Sequence, residues 1–326
     1  MDSPLVSILI PVFRVETYIE RCARSVFEQT YDNLEYVFVD DSSPDHSIDI
    51  LKRVMKDYPE REKRTRIIHH PYNKGLAAAR NTAVEECTGT FIFHVDSDDW
   101  VENNAIQLLI EKQQETDADI ITGQTYVYRN GQRQSYASGG WNLDRETIIV
   151  KLLLYEVSTR SCGRLIRKSL YTDHNISYNE AGSCGEDFQI LSHLIYCSKK
   201  VAGIDTYIYH YDLSNPNSFT NNIKNMDLQM QGYVSVSVVA DFFSDKEPYL
   251  QEIAKRLKVH YLHQKMILNA MWRDKKAYST FLRILQNSDS DCWHYIKWDN
   301  PIKRYIESHY VLMCLTIPLR KLFGKL

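Results

Sequence analysis

The sequence has no Cys-x-x-Cys pair: its seven cysteines, Cys22, Cys87, Cys162, Cys184, Cys197, Cys292 and Cys314, are scattered and odd in number. That argues against a structural zinc site and a disulfide framework, and it suits a reducing compartment such as the cytoplasm. No run of about 18 apolar residues occurs, so no membrane-spanning helix is expected. No basic region precedes the first apolar stretch, MDSPLVSILIPVF, so it is not read as a secretion signal. There is no excess of positive charge either. The formal charge is −3, and no nucleic-acid partner is expected. No Gly-x-Gly-x-x-Gly follows the first apolar run, which removes the dinucleotide-binding fingerprint of a dehydrogenase. Internal repeats and low-complexity segments are missing too.

What is present is a globular composition. Of 326 residues, 44% are hydrophobic, enough for a sizeable core and either one large domain with an extension or two domains. The 22 tyrosines offer flat apolar faces with polar tips, which suit sugar or base stacking and equally suit half-buried surfaces.

Periodicity over the first hundred residues alternates between strand and helix. Residues 5–12 (LVSILIPV), 34–39 (LEYVFV), 66–69 (RIIH) and 91–95 (FIFHV) read as short buried strands. Residues 16–29, 47–58 and 75–86 read as helices, the last starting at a glycine. Such alternation predicts an α/β fold with a mostly parallel sheet, whose ligands bind at the carboxyl ends of the strands. Two acid clusters fall at those ends: Asp40-Asp41 after the second strand, and Asp96-Ser97-Asp98-Asp99 after the fourth. If the extended trace continues past Val95, Asp96 and Asp98 project to one side. Paired carboxylates share a proton or bind a cation, and hard divalent ions take such oxygens together with substrate phosphates. The plainer reading is an acidic turn in which Asp98 or Asp99 caps a helix beginning near Val101. Further on, Asn130-Gly131 signals a hairpin and residues 185–196 (GEDFQILSHLIY) a helix. Residues 201–211 read as a strand, and about 225–286 as helical.

In order along the chain stand VSILIPVF, QTYDNLEYVFVDDSSPD, NKGLAAARNTAVEECTGTFIFHVDSDDW, GEDF and YIYHY with its Ser/Asn loop, together spanning roughly residues 5–220. This ordered set resembles a family 2 glycosyltransferase of the GT-A fold, an inverting enzyme of the bacterial-polysaccharide type. The resemblance implies a Rossmann-like α/β domain over residues 1–220 that binds a nucleotide-sugar and carries catalysis. Residues 221–326 would be a helical extension. It implies a UDP-sugar donor and a glycan acceptor, with a lipid-linked glycan in view. Asp40 and Asp41 would hold the nucleoside, Asp41 meeting the base, while Pro11 and Phe13 follow the first strand and Phe13 stacks on the base or sits in the core. Asp96, Ser97 and Asp98 match the DxD motif. Asp96, Asp98 and Asp99 would then hold Mn²⁺ or Mg²⁺, and Lys74 and Arg80 near a helix start would face the diphosphate. Asp187 would be the catalytic base and Glu186 its helper, the plainer alternative being acids that merely favour a helix start.

The family often has a basic residue near His210, ahead of Ser218. Here that stretch is YHYDLSNPNS, which leaves His210 as either a ligand or a core-edge histidine. The terminal segment joins the apolar run Tyr310–Leu319 to Lys303, Arg304, Arg320, Lys321 and Lys325. This suits an interfacial helix on the inner face of the plasma membrane, although a terminal helix packed on the domain or on a second subunit fits the same pattern. A nucleotidyltransferase, a receiver-type phosphoacceptor and an inactive sugar-nucleotide-binding scaffold are the rivals. The first should carry an early glycine-rich basic loop, and the second should be shorter and would leave GEDF unexplained.

Overall fold

The computed structural model describes residues 3–129, 131–136, 141–180, 184–216, 218, 222, 224–297, 299–314 and 316. The chain divides into two compact units, residues 1–221 and 222–326.

In unit 1 the elements alternate. They are β1 (Val6–Val12), α1 (Ile19–Phe27), β2 (Leu34–Asp40), α2 (Ser47–Met55), α3 (Pro59–Glu62), β3 (Thr65–His69), α4 (Leu76–Glu86), β4 (Phe91–His94), β5 (Trp100–Val101), α5 (Ala105–Thr116), β6 (Ile120–Arg129), β7 (Gln132–Tyr136), α6 (Arg145–Leu153), β8 (Arg164–Arg167), α7 (Ser169–Asp173), α8 (Glu186–Cys197) and β9 (Val201–Asp212). The strands form one sheet in the order β3-β2-β1-β4-β8-β6-β9-β5, with β7 on β6. β1, β2, β3 and β4 pair in parallel, as the alternation predicts. Beyond β4 the sheet becomes mixed, with β8 antiparallel to both β4 and β6 and β9 parallel to β6. β1 is buried at every position, because helices cover both faces of a parallel sheet.

Chain order reverses at β1, between β2 on one side and β4 on the other. A ligand crevice forms at such a switch point. Val12 pairs with Asp40 across β1 and β2, and Leu9 pairs with His94 across β1 and β4. Two residues beyond those pairs, Asp96 falls level with Pro11, so both acid clusters lie along one edge of the sheet.

Two local readings change. No helix starts near Val101. Trp100 and Val101 instead pair antiparallel with His210 and Tyr209, and α5 begins after Asn104, so Asp98 and Asp99 do not cap it. The expected hairpin joins β6 and β7 through Arg129 opposite Gln132, although Asn130 itself lies outside the described residues.

Unit 2 is helical: α9 (Met226–Phe242), α10 (Pro248–Met271), α11 (Lys275–Gln286), a 3-10 segment at Ser290–Ile296 and α12 (Pro301–Ser308). Its core gathers Leu262, Met266, Tyr278, Phe281, Leu285 and Met313. Inside it Glu307 is fully buried and lies 2.8 Å from His263 Nε2. Pro318, Arg320, Lys321 and Lys325 lie outside the described residues. Among the described residues no helix is long and apolar enough to cross a membrane.

Candidate active site at the carboxyl edge of the sheet

The first cluster builds a turn. Asp41 is almost wholly buried, and its Oδ1 accepts from the Lys74 backbone N–H at 2.8 Å and lies 2.7 Å from His70 Nδ1. Its Oδ2 accepts from Asn73 Nδ2 at 2.9 Å and from the Gly75 N–H at 2.8 Å. A carboxylate offers about four lone-pair sites, and all four are in use. Asp41 therefore differs from its expected role: it holds the loop that starts α4 instead of presenting an oxygen to a base. Gly75 in that loop has φ 93°, a backbone that a side chain would strain. Asp40 has room left. Its Oδ1 accepts from the Ser43 N–H at 2.9 Å, and its Oδ2 lies 2.8 Å from Nδ1 of the half-exposed His69. Phe13 is 37% exposed, with the Arg14 guanidinium 5.2 Å from its ring centre, so it is not core. Pro11 is buried within β1, and Lys74 projects into solvent.

The second cluster is organised by Arg80, on the first turns of α4. Its side chain is buried, and its two terminal nitrogens reach three carboxylates. Nη2 donates to Asp96 Oδ1 at 2.8 Å, while Nη1 donates to Glu186 Oε1 and Asp187 Oδ1, each at 2.9 Å. One guanidinium thus ties the end of β4 to the start of α8. Arg80 was expected to face a diphosphate. Full burial and three carboxylate partners make it an internal clamp instead. Burial opposes its charge, yet Asp187, Asp96 and their neighbours raise its pKa further above the usual arginine value.

The three acids of the run sit in different fields. Burial pushes the Asp96 carboxyl up, but the charge and hydrogen bond of Arg80, aided by the Cys162 thiol 3.1 Å from Oδ2, bring it below the ordinary range. Burial and then the Asp96 charge push Asp98 up to about 6. Its Oδ2 accepts from Asn215 at 2.9 Å, and Oδ1 has no hydrogen-bond partner among the described residues. Asp99 is fully buried, accepting from the Asp212 N–H at 2.8 Å and the Tyr209 hydroxyl at 2.7 Å. Both its oxygens thus have partners within the fold. Ser97 is buried beneath the same turn.

On the other side, burial and then the Asp187 charge push Glu186 up to about 8, so it carries a proton at neutral pH. Asp187 is more open. Its Oδ1 accepts from Arg80 and from Ser161 Oγ at 2.5 Å, while Oδ2 receives no hydrogen bond among the described residues. His210 stands apart. It stacks on Trp100 at 4.7 Å, lies 2.8 Å from Glu102 through Nε2, and meets the Tyr128 hydroxyl through Nδ1. That is the core-edge reading.

Among the described residues no trio of His, Cys, Asp and Glu converges closely enough to hold an ion unaided. The donor chemistry nevertheless fits a hard divalent cation. Asp98 keeps one open oxygen on a carboxyl whose ionised form is disfavoured until positive charge arrives, and Mg²⁺ commonly completes its shell with substrate phosphates. Sequence reasoning missed Ser161, Cys162 and His70, which no motif marks, and gave no role to Tyr209 within YIYHY. Asn215 and Asp212 lie in the Ser/Asn loop that was legible.

The chain is similar to known glycosyltransferases. The family model described as glycosyl transferase family 2 matches residues 7–174, just over half of the chain. The uncharacterized glycosyltransferase EpsJ of Bacillus subtilis is 32% identical over 224 residues, 67% of this chain and 63% of EpsJ. Chondroitin synthase of Pasteurella multocida is 28% identical over 242 residues, 70% of this chain but only 24% of that protein. The chain thus aligns with less than two thirds of either relative's length. In three dimensions it is similar to S. aureus TarS 1–349 in complex with UDP-GlcNAc, with a TM-score of 0.75 at 15% identity, over 98% of this chain and 92% of that one. The chain belongs to glycosyl transferase family 2 and has the GT-A fold.

Proposed function

We propose that the protein is an inverting glycosyltransferase that moves a hexose or N-acetylhexosamine from a UDP-sugar to a glycan hydroxyl during polysaccharide synthesis. The observation that carries this reading is the Arg80 bridge between Asp96 and Asp187, which sets a donor-side carboxylate and an acceptor-side carboxylate on one guanidinium. The UDP-GlcNAc complex of TarS and the chondroitin synthase relative support the donor and product classes.

In this mechanism Phe13 stacks on the base and Asp40, with oxygen capacity to spare, meets the nucleoside. Asp41 shapes the loop from which Lys74 approaches the phosphates. Asp187 Oδ2 takes the proton of the acceptor hydroxyl. The acceptor oxygen bonds to the anomeric carbon while the bond from that carbon to the phosphate oxygen breaks, and its electron pair leaves with UDP. Attack opposite the leaving group inverts the anomeric centre. Arg80 holds Asp187 and Asp96 in place, and the protonated Glu186 avoids a second negative charge beside the base. Asp96 and Asp98 would hold Mn²⁺ or Mg²⁺, which when bound supplies Lewis-acid neutralisation of the diphosphate.

A panel of UDP- and GDP-sugars with Mn²⁺, with and without EDTA, tests the class by released nucleoside diphosphate. One UDP-sugar is expected to be hydrolysed slowly, with EDTA or Asp98→Asn lowering the rate at least about a hundredfold. No release from any donor, with no UDP-dependent rise in melting temperature, would leave an inactive scaffold. Consumption of a nucleoside triphosphate would point to a nucleotidyltransferase.

For unit 2 we propose peripheral contact with an anionic lipid surface. Ile302 (72% exposed), Tyr305 (59%) and Val311 (67%) stand out beside Lys303 and Arg304. Wild-type protein should sediment with vesicles containing an anionic phospholipid, and Ile302→Ser/Tyr305→Ser should sediment several-fold less. Equal partitioning of the two proteins rules this contact out.

A further inference from the structure

The segment joining α6 to β8 crosses the first turn of α8 and touches it twice. At the start of the segment, the Tyr155 ring stacks on Phe188 with centroids 4.8 Å apart and planes 24° apart. At its end, Ser161 Oγ donates to Asp187 Oδ1 at 2.5 Å. Two consecutive residues of α8, an aromatic and the proposed base, are therefore bound by the two ends of one short segment. Phe188 is buried, but Tyr155 is 54% exposed. One ring face rests on Phe188 and much of the remainder is open.

The backbone at this tyrosine is also unusual. Its φ is 58°, in the left-handed region where asparagine, aspartate and glycine sit more easily than a bulky side chain. Core packing does not repay that conformation, since over half of the residue faces solvent. A strained position with an exposed ring, stacked on the residue that follows the proposed base, is a reason to look for a ligand.

We propose that Tyr155 is the stacking platform for the acceptor sugar, with a pyranose ring lying on its open face and one hydroxyl directed to Asp187 Oδ2. The proposal deepens the glycosyltransferase reading and rests on Asp187 as the base. The chemistry is that of an aromatic face against the C–H face of a sugar. An aromatic ring loses little conformational freedom on stacking, so it selects for ring presentation without demanding particular hydroxyl positions. Tyr155 is accordingly a residue for acceptor affinity. Donor binding belongs to the other side of Arg80.

The experiment uses the full chain, its UDP-sugar and a panel of 4-nitrophenyl pyranosides of common hexoses and N-acetylhexosamines as acceptors. Three quantities are read: acceptor KM, donor KM and melting temperature. Tyr155→Ala and Tyr155→Asn are expected to raise acceptor KM at least tenfold, with donor KM within twofold. Tyr155→Phe and Tyr155→Trp should stay near wild type. Because asparagine suits the left-handed backbone, Tyr155→Asn should melt no lower than the wild type, which separates sugar contact from a merely structural role. Unchanged acceptor KM in Tyr155→Ala overturns the platform. So does a parallel loss of donor affinity and melting temperature, and so does a wild-type enzyme that cleaves its donor yet transfers to none of the pyranosides. Asp187→Asn with undiminished transfer would overturn the base assignment instead, while the Tyr155 series would still report on acceptor affinity.

Discussion

Arg80→Met is expected to lose at least about a hundredfold in transfer rate and about 10 °C in melting temperature. The guanidinium is buried and is the shared partner of Asp96, Glu186 and Asp187. Methionine fills similar volume without donors, so three acids are left facing one another. Removing one partner of a buried ion pair costs about 3–5 kcal/mol because the other charge stays buried. Here the acids have a partial escape: they take up protons, and an Asp187 that carries a proton is no base. Arg80→Lys should recover little, since a single ammonium cannot divide itself between Asp96 on one side and the Glu186–Asp187 pair on the other. Transfer assays and thermal melts in parallel check this. A Met variant that melts like wild type would mean the three carboxylates do not depend on the clamp.

Asp187→Asn is the second large effect. Replacing a general base commonly removes about a hundred- to ten-thousandfold of rate. The amide keeps the shape and still accepts from Arg80 and Ser161, so the fold and donor binding should survive while transfer falls by that factor. Glu186→Gln is the informative companion. With Glu186 pushed up to about 8, glutamine resembles its state at neutral pH, and activity at pH 7 should change little. The sign for stability follows from linkage. The native protein holds this proton where an unfolded chain has released it, so stability falls as pH rises from the ordinary glutamate range through about 8. Glu186→Gln should flatten that loss in melts taken from pH 5 to 9. Asp187→Asn with full transfer would refute the base, and an unchanged pH slope in Glu186→Gln would refute the proton on Glu186.

The strand-helix alternation and both acid clusters were legible because local periodicity and position at strand ends decide them. What could not be read was how the carboxylates are used. Asp41 and Asp99 look from sequence like ligand-facing acids. Their oxygens are taken up by backbone N–H groups of residues 74, 75 and 212, far along the chain, which no spacing rule reports. Arg80 reads as a phosphate contact because it sits near a helix start. Only the meeting of α4 with α8 turns it into a clamp. β5 escaped because two residues make no periodicity, and its partner lies more than a hundred positions away. Ser161 and Tyr155 belong to a segment without a motif, so nothing short of the fold brings them to α8.

The acidic turn also says something about when the site comes into being during synthesis. The partners of its Asp98 and Asp99 side chains arrive late. Tyr209 and Asp212 meet Asp99, and Asn215 meets Asp98, at separations of 110, 113 and 117 residues. Closing loops of that length is slow relative to local helix formation. A nascent chain whose last exposed residue is 174 contains the whole acid run, Arg80, Cys162 and the full family match, yet not Tyr209, Asp212 or Asn215. The catalytic edge is thus completed last, by β9 and the residues that follow it.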